Sequence, residues 1–297
     1  MKMKLSKLSL SSLLLLAFSS AGYAQKLPDV QSKGVYAPAG IRADGKNTEW
    51  NDSFQALNKS TNIYYTMAND ENNLYVAIKS TDAANNTKIL AGGITLSINP
   101  DGKKKEKESI TLTYPVVNRA GMRNGGGAGG VRRTVTMGAG GSMTVMGGAS
   151  GPQMTKLQRD SMMAEMQKKQ LAQVKEIKIS GFKNTTDTLI SIYNEYSIKA
   201  VASITKENAF FYEIAIPLTA LGITADSNKE FAYNIKLNGL QMQGFDGGGG
   251  GGGGNVSVRV SGGGGTFGSR GGGGGNFDFQ ALISPTDFWG KYTLVKK

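Results

Sequence analysis

Short segments with alternating apolar and polar residues constrain the fold of this chain more than any other feature. Residues 62–67 and 74–79 both alternate with a period of two, and the polar stretch Asn69–Asn73 lies between them. This period is that of a β-strand, whose successive side chains point to opposite faces of a sheet. Because β-branched and aromatic residues are frequent in both segments, we predict a β-hairpin over residues 63–80.

The same alternation returns along most of the chain. Further strands are predicted over residues 94–98, 110–114, 176–179, 188–193, 196–205, 210–216 and 231–237. Residues 287–295 are predicted to be a turn that leads into a last strand, with Trp289 just before that strand. A parallel α/β sheet needs a helix between successive strands, and such helices are missing from the pattern. We therefore predict an all-β fold, an antiparallel, immunoglobulin-like β-sandwich.

Two insertions interrupt the strands. The first, residues 121–175, is glycine-rich with short strand-like pieces up to residue 151 and then contains good helix formers from Gln153 to Lys175. Its apolar residues fall along one face, which predicts one amphipathic helix. The second, residues 244–275, is predicted to be a glycine-rich loop. Long loops add little closure entropy, so we predict a single sandwich domain over residues 25–297 that carries both insertions.

The N-terminus has the features of an export signal. Three lysines precede a largely apolar run over residues 8–20, and small residues stand before Gln25. The run is shorter than the roughly 20 residues of a membrane span, so we predict a signal peptide over residues 1–24, with an uncleaved anchor as the alternative. The expected location is the periplasm, the outer surface or the secreted fraction. No transmembrane segment is expected after cleavage.

The chain contains neither cysteine nor histidine. This excludes disulfides, thiolate nucleophiles, a Ser-His-Asp triad and histidine-bound zinc or haem. Glu49, Glu195 and Glu213 could supply a carboxylate pair for glycoside hydrolysis, but nothing in the sequence brings two of them together. We therefore predict that the protein is not an enzyme.

The charge of the chain favours acidic partners. The formal net charge is +12, and removal of the three signal-peptide lysines leaves 12 − 3 = +9. Such a surface suits an anionic envelope polymer or lipid head groups, and export argues against nucleic acid as a partner. A generic soluble surface with excess lysine is the alternative interpretation.

Three short motifs resemble those of a known family. They are Asp44-Gly45 followed by Glu49-Trp50, the segment Asn69 to Ile78, and the segment Tyr212 to Leu218. Their order is similar to that in family 9 carbohydrate-binding modules and in the wider DOMON-like sandwich superfamily. The resemblance covers about residues 41–114 and 196–297, and excludes the first insertion. It implies a DOMON-like β-sandwich and a non-catalytic module that binds a polysaccharide or oligosaccharide.

The resemblance also guides the choice of candidate residues. Sugars are held between aromatic rings in the family, and the candidate stacking residues here are Tyr64, Tyr75, Tyr193, Tyr196 and Trp289. Trp50 is interpreted as a core plug at one end of the sandwich, and Trp289 is open to the same interpretation. The motif residues Asp44, Gly45, Glu49 and Trp50 are therefore predicted to be structural.

Two metal hypotheses remain open, and no other cofactor is predicted. Asp70, Asn72, Asp82 and Asp101 are oxygen-rich turn residues that suit a structural calcium ion, which some relatives in the family bind. Asn and Asp also form turns wherever strands reverse, which is the alternative. Methionines in the first insertion could bind Cu(I), although packing explains them better. A second function remains open as well: a structural or interaction protein whose basic glycine-rich loops contact envelope polymer or a partner protein.

Overall fold

The fold consists mainly of short antiparallel strands. The structure is a computed structural model that describes residues 26–116, 133–137, 141–145, 155–240 and 279–297. The strands are β1 (Ala56–Asn58), β2 (Ile63–Asn69), β3 (Asn73–Ser80), β4 (Ile94–Asn99), β5 (Ile110–Tyr114), β6 (Arg133–Met137), β7 (Gly141–Val145), β8 (Glu176–Ser180), β9 (Leu189–Ser191), β10 (Lys199–Ile204), β11 (Phe210–Pro217), β12 (Phe231–Leu237) and β13 (Thr286–Tyr292). The helices are α1 (Ala83–Gly92), α2 (Lys156–Gln173) and α3 (Phe279–Ile283).

Two antiparallel sheets contain most of these strands. One has five strands in the order β1-β2-β3-β11-β10, and the other has six in the order β13-β12-β4-β5-β8-β9. The β6 and β7 strands pair with each other in a separate two-stranded ladder. The predicted hairpin is β2 and β3, which pair from Tyr64 and Lys79 to Asn69 and Leu74. The predicted all-β, antiparallel class is confirmed.

The inner faces of the two sheets share one hydrophobic core. Tyr65 of the five-stranded sheet contacts Tyr233 and Phe288 of the six-stranded sheet, and the Tyr65 and Tyr233 hydroxyls lie 2.8 Å apart. This hydrogen bond satisfies two phenol groups that burial would otherwise leave without water. Tyr114 and Tyr212 stack across the same interior with their ring centroids 6.1 Å apart. The two sheets therefore form a sandwich.

Helix α1 is absent from the sequence prediction, which expected only one helix. It joins β3 of one sheet to β4 of the other. Asp82 caps its start by accepting a 2.8 Å hydrogen bond from Asn85 N, and Gly93, with φ at 79°, follows its last residue. An Asp cap and a terminal Gly are the usual boundary signals of a helix. They were obscured because the helix is short and its buried apolar residues cluster in its second half.

Helix α2 confirms the predicted amphipathic helix. Thr155 and Gln158 form a capping box at its start. At its other end Leu171 is buried in the core, and Gln170 Nε2 donates a 3.3 Å hydrogen bond to Leu90 O of α1. Leu157, predicted to lie on the apolar face, is instead 77% exposed, because only the later turns of the helix pack against the sandwich.

None of the helices in the described part of the chain combines the length and the apolar character that a membrane span requires.

The segment before β1 covers the free edge of β2. The Gln31 side-chain amide donates to Met67 O and accepts from Met67 N, both at 2.8 Å, as a neighbouring strand would. Farther along, Asn69 N donates to Val35 O, and Ala37 N donates to Asn69 O. An open edge with unpaired backbone groups invites pairing with another chain, and these contacts remove that edge.

The strands that precede the two glycine-rich insertions, β5 and β12, end at the same end of the six-stranded sheet. Tyr114 at the end of β5 and Leu237 at the end of β12 are both register partners of Ile94, the first residue of β4. The first insertion follows β5, and the second follows β12. Both therefore depart from the same end of this sheet, two strands apart.

Candidate functional site

The Asp44–Trp50 motif is held by one buried carboxylate. Glu213 of β11 is only 2% exposed, and its Oε2 accepts hydrogen bonds from Asp44 N at 3.1 Å and Gly45 N at 2.7 Å. Its Oε1 accepts a third, at 2.7 Å, from Trp50 Nε1. Gly45 has a φ of 79°, which glycine adopts without strain. The motif is thus a turn folded around the side chain of Glu213.

This arrangement weakens the case for Glu213 as a hydrolytic group. Burial raises the pKa of the Glu213 carboxyl, while the hydrogen bonds from Trp50 and Gly45 act in the opposite direction. Both of its oxygens are occupied by structural donors. Glu49 accepts a hydrogen bond from the neighbouring Thr48, and Glu195 is an exposed residue of the β9–β10 connection. None of the three is placed as half of a catalytic pair.

Trp50 packs against the outside of the five-stranded sheet. It belongs to a second apolar cluster with Phe54, Tyr75 and Phe211, separate from the sandwich core. Phe211 and Tyr75 point away from the core because they alternate with inward-facing residues of β11 and β3. The predicted structural role of Trp50 fits this location, but its predicted position does not. It covers an outer sheet face, whereas a plug at one end of the sandwich was expected.

The candidate tyrosines do not share one surface. Tyr64 and Tyr75 lie under the N-terminal segment, where Tyr64 contacts Phe54 and Tyr75 is 7% exposed. The Tyr75 hydroxyl donates a 2.8 Å hydrogen bond to Asp70. Covered rings of this kind are poor stacking platforms for a ligand.

Tyr193 and Tyr196 lie in the connection between β9 and β10. Tyr193 is 82% exposed, the most exposed large hydrophobic side chain among the described residues. Tyr196 is partly buried against the core, and its hydroxyl donates a 2.9 Å hydrogen bond to Asp187. Of this pair, only Tyr193 offers a free ring to a ligand.

The four candidate calcium ligands are not brought together. Asp70 and Asn72 lie in the β2–β3 turn, Asp82 lies at the opposite end of β3, and Asp101 lies in the β4–β5 turn. The Asp70 carboxylate accepts hydrogen bonds from Asn72 N and Asn73 N at 2.8 and 2.7 Å. Within the part of the chain that the structure describes, no group of three or more acidic side chains could hold a metal ion. The turn and capping interpretation accounts for the carboxylates of Asp70 and Asp82, and the Asp101 carboxylate forms an ion pair with Lys229.

Trp289 lies at one end of a row of polar side chains. Register pairing joins Trp289 of β13 to Asn234, Asn234 to Ser97, Ser97 to Thr111 and Thr111 to Ser180, across five neighbouring strands. All five side chains alternate with core residues and therefore lie on the outer face of the six-stranded sheet. We call this row the outer polar face. The prediction that Trp289 lies just before the last strand is wrong, since Trp289 is part of β13.

Two atoms at the centre of the outer polar face lack partners. Ser97 and Asn234 are 0% and 1% exposed, and neither Ser97 Oγ nor Asn234 Oδ1 has a hydrogen-bond partner among the residues that the structure describes. The Asn234 Nδ2 group is fully used, since it donates to Asp287 and to Phe288 O. Buried polar atoms without partners are uncommon, and a bound water or ligand is one explanation of them. They are register neighbours, so one ligand group could contact both.

The β4–β5 connection reaches over this face. Its single 3-10 turn, Glu106–Glu108, contacts β4, and Glu106 forms an ion pair with Lys236 of β12. Lys236 pairs in register with Thr95, near the start of β4, whereas the connection begins at its other end. To reach Lys236, the connection therefore passes Ser97, which lies between Thr95 and the end of β4. The connection and Lys236 border the outer polar face on one side and Trp289 borders it on another.

Sequence reasoning missed most of this row. Ser97, Thr111 and Asn234 are small polar residues within strands, and each alone is the expected outward-facing residue of a half-buried strand. The available signal was that Ser97 and Asn234 stand between large apolar residues in strongly apolar strands. Their adjacency depends on strand order, which no local pattern reports.

Some predicted features lie outside the described residues. These are the signal peptide at 1–24, the second insertion at 244–275 and most of the glycine-rich residues 121–151, among them the basic residues Arg123 and Arg132. They remain predictions.

Comparison with known proteins shows a distant structural resemblance and no family match. No protein-family model and no curated protein matches the chain. A solved structure that resembles it is a family 9 carbohydrate-binding module from Caldicellulosiruptor kristjanssonii in complex with glucose. The match covers 89% of this chain and 97% of that chain, with 8% sequence identity and a TM-score of 0.34. Similarity this low says nothing about the ligand of the present chain, and the sandwich architecture follows from the two sheets themselves.

Proposed function

We propose that this protein is a non-catalytic carbohydrate-binding module of an exported protein, and that it binds a saccharide on the outer polar face. The observation that supports this most directly is the row from Trp289 through Asn234 and Ser97 to Thr111. An aromatic ring beside hydroxyl and amide groups provides both an apolar surface and hydrogen bonds for a sugar. The unpartnered Ser97 Oγ and Asn234 Oδ1 supply an available donor and acceptor.

The mechanism is binding without bond cleavage. Trp289 is partly exposed and stacks on one face of a sugar ring. Asn234 Oδ1 accepts a hydrogen bond from a sugar hydroxyl, and Ser97 Oγ donates one or accepts one. The Lys236–Glu106 ion pair borders the site, so the β4–β5 connection shifts to admit a ligand to these two buried atoms. The absence of histidine and cysteine and the structural use of Glu213 are consistent with a non-catalytic role.

The test is a thermal-shift and array screen of the mature chain against a broad panel of neutral and acidic glycans. A ligand that binds only the folded state raises the melting temperature by mass action. For the best ligand, Trp289→Ala is expected to lower affinity by about tenfold or more, as loss of a central aromatic contact does. The proposal fails if no glycan binds, or if Trp289→Ala leaves binding intact while Tyr193→Ala removes it.

Ser97→Ala provides a sharper test because it separates binding from stability. The Ser97 hydroxyl has no hydrogen-bond partner within the described part of the chain, so its removal is expected to leave stability unchanged or raised. Loss of its hydrogen bond to the ligand lowers affinity by roughly two- to tenfold. Ser80→Ala is a matched control, because Ser80 Oγ is also buried and unpartnered but lies in the five-stranded sheet. Equal affinity of both variants for the glycan would contradict the assignment of Ser97.

A second candidate function is a scaffold whose basic glycine-rich insertions contact an anionic envelope polymer. It is supported by the register of β4, whose first residue, Ile94, pairs with the last residue of the strand that precedes each insertion. Retention on an anionic polysaccharide should then fall steeply with salt. It should also be lost when Arg123, Arg132 and Arg133 are changed together to Gln. Unchanged retention of that triple variant would exclude this function.

A further inference from the structure

We propose that a cleft at the end of the sandwich opposite the glycine-rich insertions binds the carboxylate or sulfate group of an acidic sugar. The cleft has a volume of about 280 Å³. We call it the lysine cleft and define it by its polar lining. These residues are Asp101, Lys183, Gly222, Thr224, Ser227 and Lys229. It lies at the Asn99 end of β4, whereas the glycine-rich insertions depart from the Ile94 end.

Three connections converge to form the lysine cleft. Asp101 comes from the β4–β5 turn, which Asn99 stabilises by accepting a 3.0 Å hydrogen bond from Asp101 N. Lys183 follows β8, and its backbone N donates a 3.2 Å hydrogen bond to Ala220 O. The remaining residues precede β12. Hydrogen bonds from the backbone N–H groups of Asp101 and Lys183 therefore hold two of the three walls.

Lys183 is positioned by contact with Gly222. A Cβ atom at residue 222 would lie 2.2 Å from Lys183 Cε and 2.3 Å from Lys183 Nζ. The lysine stem therefore occupies the space that any other residue at 222 would fill. Gly222 has a φ of 66°, a conformation that glycine adopts readily. In the described part of the chain, the Lys183 ammonium group has neither an ion-pair nor a hydrogen-bond partner, so its charge is available to a ligand.

The second lysine of the cleft is already paired. Lys229 Nζ lies 2.8 Å from Asp101 Oδ1, and this hydrogen bond lowers the pKa of Asp101. The lining therefore carries two positive charges and one negative charge, which leaves a net charge of 2 − 1 = +1. A monoanionic ligand would neutralise it.

Two hydroxyl groups complete the polar lining. Thr224 has no side-chain hydrogen bond among the described residues. Ser227 Oγ accepts a 3.2 Å hydrogen bond from Lys229 N, and its own proton remains free to donate. Phe231 and Pro100 contribute apolar surface. One cation, hydroxyl donors and an apolar wall suit a sugar ring that carries a single carboxylate or sulfate group.

This proposal rests on the proposed saccharide-binding function and assigns a charged class of saccharide to it. The lysine cleft is separate from the outer polar face, so either site can be tested without the other. The probe is sodium glucuronate, titrated calorimetrically into the mature chain, with glucose and inorganic sulfate as comparators. We expect glucuronate to bind, glucose to bind at least about tenfold more weakly, and increasing salt to weaken glucuronate binding. Lys183→Met is expected to lower glucuronate affinity by about tenfold or more. Lys206→Met, which removes an exposed lysine outside the cleft, should have no effect.

Gly222→Ala tests the positioning of Lys183 without removing its charge. The added methyl group displaces the lysine stem, so glucuronate affinity should fall while the melting transition stays cooperative. The proposal is overturned if glucose binds as well as glucuronate, if Lys183→Met retains affinity, or if only inorganic sulfate binds. Trp289→Ala separates the two sites, since it should abolish binding on the outer polar face and leave glucuronate binding unchanged.

Discussion

Trp50 Nε1 donates a 2.7 Å hydrogen bond to Glu213 Oε1, and the two residues are 163 positions apart in the chain. The bond joins the N-terminal segment to β11, an interior strand of the five-stranded sheet. The same carboxylate accepts the backbone N–H groups of Asp44 and Gly45. One buried side chain therefore holds the whole motif in place.

This relationship predicts strong coupling between Trp50 and Glu213. Trp50→Phe keeps most of the ring but leaves Glu213 Oε1 without its donor, which should cost about 1–3 kcal/mol of unfolding free energy. Glu213→Gln places an NH₂ group against N–H donors and should cost at least as much. In urea unfolding, the double variant should cost less than the sum of the two single changes. Additive costs would show that the hydrogen bond contributes little.

Lys88→Met should stabilise the protein. Lys88 is 4% exposed, its ammonium group donates a 3.0 Å hydrogen bond to Thr286 Oγ1, and burial lowers its pKa. At neutral pH Lys88 is charged in both the folded and the unfolded chain, so the free-energy cost of burying its ammonium group is present there. This cost declines as pH rises from the lowered pKa of the folded protein to the ordinary value of 10.5, above which it is absent.

We expect a gain of about 1 kcal/mol at pH 7, or about 2–4 °C in melting temperature. The gain should shrink as pH approaches the ordinary pKa of lysine. Lys206→Met is the control, because that lysine is exposed. Equal effects of both substitutions would mean that burial of Lys88 carries no penalty.

Alkaline pH should destabilise the fold through its core tyrosines. Burial raises the pKa of both Tyr114 and Tyr292 from 10.0 to about 12. The unfolded chain ionises these phenols first, so their contribution to stability is present below pH 10 and is lost as pH rises toward 12. Tyr114→Phe should unfold at nearly the same temperature as the wild type at pH 7 and at a higher temperature near pH 11. Parallel pH profiles of the two proteins would contradict this.

Asp70 should act through its turn and not through a metal ion. Its carboxylate accepts hydrogen bonds from Asn72 N, Asn73 N and Tyr75 Oη. Asp70→Ala is therefore expected to cost about 1–2 kcal/mol in unfolding free energy, equally with calcium and with a chelator. A wild-type melting temperature that falls with chelator, and a variant that does not respond, would instead support the calcium hypothesis.

Local pattern identified the elements whose signal is local. The strand predicted over residues 231–237 has those bounds in the structure, because its alternation and its apolar content agree. The helix predicted over residues 153–175 is present as Lys156–Gln173. Helix α1 was missed because it is short and lacks a regular apolar stripe.

The candidate site was less accessible from sequence. Trp289 was named as a possible ligand residue, yet its neighbours Asn234 and Ser97 were not. Tyr64 and Tyr75 were named because the family resemblance implies aromatic rings at a sugar site, and strand alternation allows such rings to lie outside the core. The sequence did not show that the N-terminal segment covers that outside surface.

By itself, the sequence determined the strand periodicity, the inserted helix and the lack of histidine and cysteine chemistry. These follow from residue type and from spacing within a few positions. Only the tertiary structure decided that Glu213 accepts a hydrogen bond from Trp50. It also decided that Trp289, Asn234 and Ser97 form one row, and that the Lys183 side chain packs against Gly222. These contacts join residues that are far apart in the chain, so they depend on strand order and on the packing of distant segments. A buried polar group forms its hydrogen bonds with the groups that the fold places beside it.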